Sequence, residues 1–133
     1  MGKEKEQPKI TKKEWGYEKE ITNAPRYCTK EMGLNKGKRC SLHWHEIKDE
    51  TFYIHSGRVL MQIVNKIGSE IRVMLPREFV RIKPGVLHRF SGLEDSVIIE
   101  SSTHHEDSDS YRIKQELSGD VPKQIMLKYK FAN

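Results

Sequence analysis

The sequence has little of what secreted, disulfide-rich and membrane-spanning proteins need. Only two of its 133 residues are cysteines, Cys28 and Cys40, which are too few for a disulfide scaffold. No apolar run approaches the roughly 18 residues that span a bilayer, and the mean hydropathy is -0.75. Residues 1–6 lack the hydrophobic centre of a signal peptide. These absences predict a cytoplasmic protein that has no membrane partner.

Positive charge is concentrated at the start of the chain. The formal net charge is +5, and residues 1–13 contain five lysines but only two glutamates. We interpret residues 1–13 as a flexible basic tail and residues 14–133 as one folded domain. Because the charge of that domain is close to balanced, the sequence predicts no nucleic-acid partner.

Short apolar stretches alternate with turn residues along most of the chain, for example at 35–37 and 83–85. This pattern predicts an all-β fold, a sandwich or barrel of antiparallel strands. A last strand is predicted at about 124–131, and only residues 106–115 are compatible with a short helix. Residues 58–65 are apolar on both faces of the predicted strand, which favours a covering sheet or subunit. We therefore expect a homodimer.

Histidines and one carboxylate follow the spacing of a metal site. His43 and His45 lie two apart in a strand-like run, so both imidazoles project from the same face. Glu50 follows after a turn, and His88 comes directly after a rigid Pro-Gly turn. Three imidazoles and a carboxylate suit Mn²⁺, Fe²⁺, Co²⁺, Ni²⁺ or Zn²⁺, and four ligands leave an octahedral ion open to substrate. For the His43–His45 pair alone, the alternative is two surface histidines.

Two further charged residues are candidates for proton transfer. Glu100 closes the apolar run 97–99, where a carboxylate is costly unless it is paired, ligated or used. Burial there would raise its pKa and make it a better base near neutral pH. The alternative is a strand-end glutamate that faces solvent or pairs with a lysine or arginine. Lys48 lies between His45 and Glu50, and its alternative is an exposed turn lysine.

These residues resemble the motifs of the cupin superfamily. The first cupin motif, Gly-x5-His-x-His-x(3–4)-Glu-x6-Gly, is matched by Gly37, His43, His45, Glu50 and Gly57. The second, Gly-x5-Pro-x-Gly-x2-His-x3-Asn, is matched at Gly85 and His88, with departures at Arg77, Pro84 and Gly92. The resemblance implies a single-domain jelly-roll β-barrel with the metal inside.

A finer resemblance is to the cupin-type D-lyxose isomerases and the mannose-6-phosphate isomerase-like cupins. Those proteins have a lysine at the position of Lys48 and a catalytic glutamate in a strand like residues 100–103. The resemblance implies a metal-dependent aldose–ketose isomerase that acts on a sugar or sugar phosphate through a cis-enediolate. Glu100 would move the carbon-bound proton, and Lys48 would assist at a substrate oxygen. A further lysine of the D-lyxose isomerases is replaced here by Ser41.

Two other functions remain open on the sequence. The same ligands would serve an Fe²⁺ dioxygenase, which requires neither Lys48 nor Glu100. A non-catalytic cupin that binds a sugar or another metabolite is the third possibility, and the replacement at Ser41 favours it.

Overall fold

The computed structural model describes residues 5–132, which form two antiparallel β-sheets around a shared core. The strands are β1 (Lys9–Lys13), β2 (Gly16–Asn23), β3 (Cys28–Leu34), β4 (Lys38–Arg39), β5 (His43–Trp44), β6 (Glu50–Ser56), β7 (Val59–Asn65), β8 (Gly68–Met74), β9 (Phe79–Ile82), β10 (Leu87–Gly92), β11 (Ser96–Ser102), β12 (Tyr111–Arg112) and β13 (Gly119–Asp120). A 3₁₀ turn lies at Asp107–Asp109, and one α-helix, α1, lies at Lys123–Lys128.

The two sheets have the connectivity of a barrel rather than of a simple meander. One sheet has the order β1-β2-β3-β11-β6-β9. The other sheet has β10 at its centre, paired with β4, β5 and β7. Beyond these, β4 pairs with β13, β5 with β12, and β7 with β8. The predicted all-β architecture is confirmed.

Alternation along the strands decides which side chains enter the barrel. On β6, Glu50, Phe52 and Ile54 are buried, whereas Tyr53 and His55 are exposed. This is the period of two that the sequence predicts for a strand with one covered face. The core continues on both sheets with Trp15, Met32, Leu34, Cys40, Val59, Met61, Ile63, Met74, Val80, Ile82, Phe90 and Ile98.

The two ends of the described chain differ from the sequence expectation. Lys9–Lys13, which we assigned to the tail, form β1 and pair with β2 from Lys9↔Glu20 to Lys13↔Gly16. Trp15 is buried in the turn between these strands and anchors the hairpin to the core. Residues 1–4 of the predicted tail lie outside the described residues.

The strand predicted at 124–131 is wrong. The helix α1 occupies Lys123–Lys128, directly after Pro122. Lysine, glutamine, methionine and leucine, which make up most of this helix, all favour helix. The predicted short helix within 106–115 corresponds to the single turn at Asp107–Asp109, followed by β12. Among the described residues, no helix is long and apolar enough to cross a membrane.

Candidate metal centre

Three histidines converge at one end of the barrel interior. His43 on β5 is paired directly with His88 on β10, and His45 lies just beyond the end of β5. The ring centroids are 4.3 Å apart for His43 and His88, 5.2 Å for His43 and His45, and 5.7 Å for His45 and His88. One ligand atom from each ring lies within 4.8 Å of the others. The predicted histidine cluster is therefore formed.

Backbone carbonyls prepare all three rings to bind a metal through the same nitrogen. Each Nδ1 lies at hydrogen-bond distance from a main-chain oxygen: 2.8 Å for His43 and Ser41, 2.7 Å for His45 and Asp109, and 3.0 Å for His88 and Val86. A neutral imidazole whose Nδ1 donates its proton in this way presents an unprotonated Nε2. Main-chain carbonyls thus orient all three rings.

Glu50 lies beside the histidine cluster and could add a carboxylate to it. Its Oε2 atom lies 3.3 Å from His45 Nε2 and 3.2 Å from His88 Nε2. Both Glu50 Oε2 and His88 Nε2 are buried without a hydrogen-bond partner, which is costly for polar atoms. Atoms that each lie about 2.1 Å from one ion, at right angles, are about 3 Å apart. A bound cation would satisfy both atoms at once.

The electrostatics of the site keep these ligands in their metal-binding forms. Burial, followed by the neighbouring His88, lowers the pKa of His43 to about 3. Burial also lowers the pKa of His45. For Glu50, burial acts to raise the pKa, but His88, Lys48 and His45 outweigh it and lower the pKa to about 2. Neutral imidazoles and an ionised carboxylate are the states that coordinate a metal.

Lys48 and Glu100 lie beside this donor set rather than at the surface. The ammonium Nζ of Lys48 is 3.2 Å from Glu100 Oε2 and 3.5 Å from Glu50 Oε1. Lys48 is only 3% exposed and Glu100 only 4%, so neither residue faces solvent. The alternative in which Glu100 pairs with a lysine is observed. Burial and the charge of Glu50 raise the pKa of Glu100. Burial acts to lower the pKa of Lys48, but Glu100 and Glu50 outweigh it, so the pKa is raised.

A cavity of about 770 Å³ opens onto these residues. Trp15, Phe52 and Phe90 contribute apolar lining. The ion pair of buried Lys30 with half-buried Glu18, 2.6 Å apart, lines the cavity as well. Trp15 both lines this cavity and packs in the core. The cavity combines an apolar floor with charged walls, as small-molecule sites commonly do.

The turn before His88 keeps its place despite the departures from the second motif. Gly85 has φ of 83°, in the left-handed region, and its N–H donates to the carbonyl of His45 over 2.6 Å. Arg77, where the motif has its leading glycine, also adopts a left-handed conformation, with φ of 77°. With these departures, His88 still joins the histidine cluster.

Sequence reasoning missed the contribution of the segment that follows β11. His105 is half-buried, and its Nδ1 lies 3.2 Å from Lys48 Nζ. Asp109 is buried and binds His45 through its carbonyl. These residues lie in a polar stretch far from the histidine motif, and no local pattern connects the two. The charged partner Lys30 was missed for the same reason.

Comparison with solved structures gives the fold a name. Oxalate decarboxylase from Bacillus subtilis matches with a TM-score of 0.71 and 20% identity, over 80% of this chain and 30% of that chain. The structure of KdgF from Halomonas sp. matches with a TM-score of 0.62 and 20% identity, over 69% of this chain and 81% of that one. No protein-family model matches the sequence, and no curated protein matches it.

Both of these neighbours are cupins, and the described chain has the cupin fold, a single jelly-roll domain. It spans only 30% of the length of the decarboxylase chain. This fold brings together a histidine cluster that could hold a divalent transition metal.

Proposed function

We propose that the protein is a metal-dependent aldose–ketose isomerase that acts on a sugar or sugar phosphate. One observation carries this proposal. The buried ammonium of Lys48 lies between two carboxylates, 3.2 Å from Glu100 and 3.5 Å from Glu50. Glu50 belongs to the proposed metal-binding group, and Glu100 does not. The side chain of Lys48 therefore connects a carboxylate that would bind the metal with one that would remain free. Such a pair of differently tuned carboxylates is what acid–base chemistry beside a metal requires.

The proposed metal ligands and the proposed base have separate roles. His43, His45, His88 and Glu50 would hold a divalent transition metal, which when bound supplies Lewis-acid polarisation of a substrate carbonyl. Glu100 removes the proton from C2 of an open-chain aldose and returns it to C1. Its raised pKa, caused by burial and by Glu50, makes it a stronger base near neutral pH. The reaction passes through a cis-enediolate and has no net gain or loss of protons.

Lys48 donates to the substrate oxygens and transfers a proton between them during the same reaction. Its ammonium donates to a substrate oxygen and stabilises negative charge as it develops there. It also moves the hydroxyl proton from O2 to O1, which the isomerisation requires. Between turnovers, its contact with Glu100 keeps the base ordered in an otherwise desolvated wall of the cavity.

A non-catalytic sugar-binding cupin is the second candidate, and Ser41 supports it. This residue lines the cavity where the D-lyxose isomerases have a lysine, so one cation that would assist turnover is replaced by a neutral hydroxyl. An Fe²⁺ dioxygenase would use the same metal ligands but would leave Lys48 and Glu100 without a role.

The substitution Glu100→Gln tests the proposal directly. Because glutamine cannot accept the carbon-bound proton, we expect isomerisation and exchange of the C2 proton to fall by about 10²–10⁴-fold, as for loss of a general base. Bound metal should be unchanged. The measurement is proton exchange in D₂O, followed by NMR, across pentoses, hexoses and their phosphates with Mn²⁺, Co²⁺ or Fe²⁺.

Glu31→Gln is the matched control, since Glu31 lies on the neighbouring strand β3 and bonds to Tyr17 over 2.8 Å instead of lining the cavity. It should turn over like the parent. Equal activity of Glu100→Gln and the parent would refute the mechanism. Binding without turnover would favour the binding protein, and oxygen consumption with Fe²⁺ would favour the dioxygenase.

The homodimer and the cytoplasmic location stay predictions. The outer face of the first sheet supports the homodimer, because Ile99, Tyr53 and Phe79 lie side by side across three strands. Tyr53 is 39% exposed and Phe79 is 67% exposed.

A further inference from the structure

The loop between β5 and β6 carries two residues of the site but has little packing of its own. His45 and Lys48 are buried, whereas the two residues between them, Glu46 and Ile47, are exposed. Ile47 is 76% exposed, so an apolar contact does not hold the middle of the loop against the barrel. Polar contacts must therefore keep His45 and Lys48 in place.

The carboxylate of Asp109 supplies these contacts. Its Oδ1 accepts a hydrogen bond from the N–H of Glu46 at 2.8 Å and from that of Ile47 at 3.2 Å. Its Oδ2 accepts from the N–H of Lys48 at 3.0 Å and again from Ile47 at 3.2 Å. Three successive amides thus point at one ionised side chain, an arrangement that suits a negative charge.

The main chain of Asp109 acts on the same loop. Its carbonyl oxygen lies 2.7 Å from His45 Nδ1 and fixes the ring so that Nε2 faces the other ligands. The segment that carries Asp109 is itself held by Asn23, whose side chain exchanges two hydrogen bonds of 2.9 Å with the backbone of His105. Asp109 is 6% exposed, so water competes little for its oxygens.

We infer that Asp109 is the positioning residue of the metal centre: it orients His45 through its carbonyl and Lys48 through its carboxylate. It touches neither the donor atoms nor the cavity residue Glu100, and it acts only through the loop. Asparagine at this position would turn one acceptor into an N–H₂ group that faces N–H donors. At least one of the loop amides would then lose its partner.

The experiment compares Asp109→Asn with the parent in titrations with Co²⁺, with the d–d spectrum as a signature of the coordination geometry. The Asp109 carbonyl remains in this variant, but the loop that carries His45 loses an amide contact. We therefore expect the affinity for Co²⁺ to fall by about 10-fold, the lower end of the range for changes behind a metal ligand, and the spectrum to change. The metal-free variant should show faster hydrogen exchange at the amides of residues 46–48. None of these measurements depends on turnover, so failure here is distinct from failure of the proposed isomerase.

Asp95→Asn is the matched control, because Asp95 also accepts from a backbone amide, that of Lys36 at 2.8 Å, but on a loop outside the cavity. It should bind Co²⁺ within about twofold of the parent. An affinity of Asp109→Asn within twofold of the parent would overturn the inference. If that variant does not fold, hydrogen exchange in the parent decides: protected amides at 46–48 support the inference, and unprotected amides overturn it.

Discussion

The two ends of the barrel interior are built by the same strands with opposite chemistry. On neighbouring strands β11 and β3, Ile98 pairs with Met32, and one step along the same face Glu100 pairs with Lys30. All four side chains are buried. A shift of two residues therefore changes the interior from a hydrophobic core to a charged cavity wall. Burial stabilises the first pair, whereas the second requires partners to offset desolvation.

The strand β10 shows the same change within one strand. His88 and Phe90 both face inward, but His88 joins the metal-binding group, and Phe90 packs edge-on against Trp15 with ring centroids 5.3 Å apart. We infer that burial of the apolar end offsets the desolvation cost of the buried polar end. The two ends should then respond to mutation in different ways.

The largest expected effect is the loss of metal binding in His88→Ala. Removal of a buried ligand should lower the affinity by more than the roughly 100-fold upper range of outer-shell changes. Equilibrium dialysis with Mn²⁺ or Co²⁺ followed by metal analysis measures it. His55→Ala, on the exposed face of β6, is the control and should keep the parent's affinity. Full metal content in His88→Ala would show that the polar end is not a metal centre.

At the apolar end, Ile98→Ala should affect stability and spare the site. Ile98 is fully buried, and an isoleucine-to-alanine change in a core lowers the free energy of unfolding by about 2–5 kcal/mol. Urea denaturation of the metal-free protein measures this loss. Val97→Ala, which faces the other side of β11, should cost less. If metal affinity fell together with stability in Ile98→Ala, the two ends would not be separable.

The smallest expected effect is a pH dependence of stability that comes from Glu100. Burial and Glu50 raise the pKa of this carboxyl above the 4.5 of an ordinary glutamate. As pH rises from 4.5, Glu100 loses its proton in the unfolded chain before it does so in the folded one. Its contribution to the free energy of unfolding therefore decreases with pH until the pH exceeds the pKa of the folded state. Unfolding of the metal-free parent and of Glu100→Gln should therefore diverge across this interval. Parallel pH profiles would contradict the raised pKa.

Local patterns were sufficient for much of the fold and for the composition of the site. Alternation placed Glu50, Phe52 and Ile54 on the inner face of β6, because the two-residue repeat of a strand depends on backbone geometry alone. The same rule set His88 and Phe90 on one face of β10. The strand prediction failed at 124–131, where Lys123–Lys128 form a helix because their residue types favour it.

Contacts between distant segments could not be predicted in this way. Arg89 follows His88 on β10 and so faces the other side of the strand, but it is buried as well. Its guanidinium donates to the carbonyl of Cys40 at 2.9 Å and to Glu116 at 2.8 Å. Lys48 was open to two interpretations until the position of Glu100 across the barrel was known. Such pairings depend on which strands become neighbours, and the sequence of a single segment does not predict the strand order.

The sequence by itself determined the inward-facing side chains and the types of ligand available, since strand periodicity and the donor chemistry of histidine and glutamate are local properties. Only the tertiary structure decided that Lys48 joins Glu50 to Glu100 and that Asp109, more than sixty positions after His45, holds the loop between them. The physical reason is that hydrogen bonds and ion pairs act over about 3 Å, and only the closed barrel brings these segments that close.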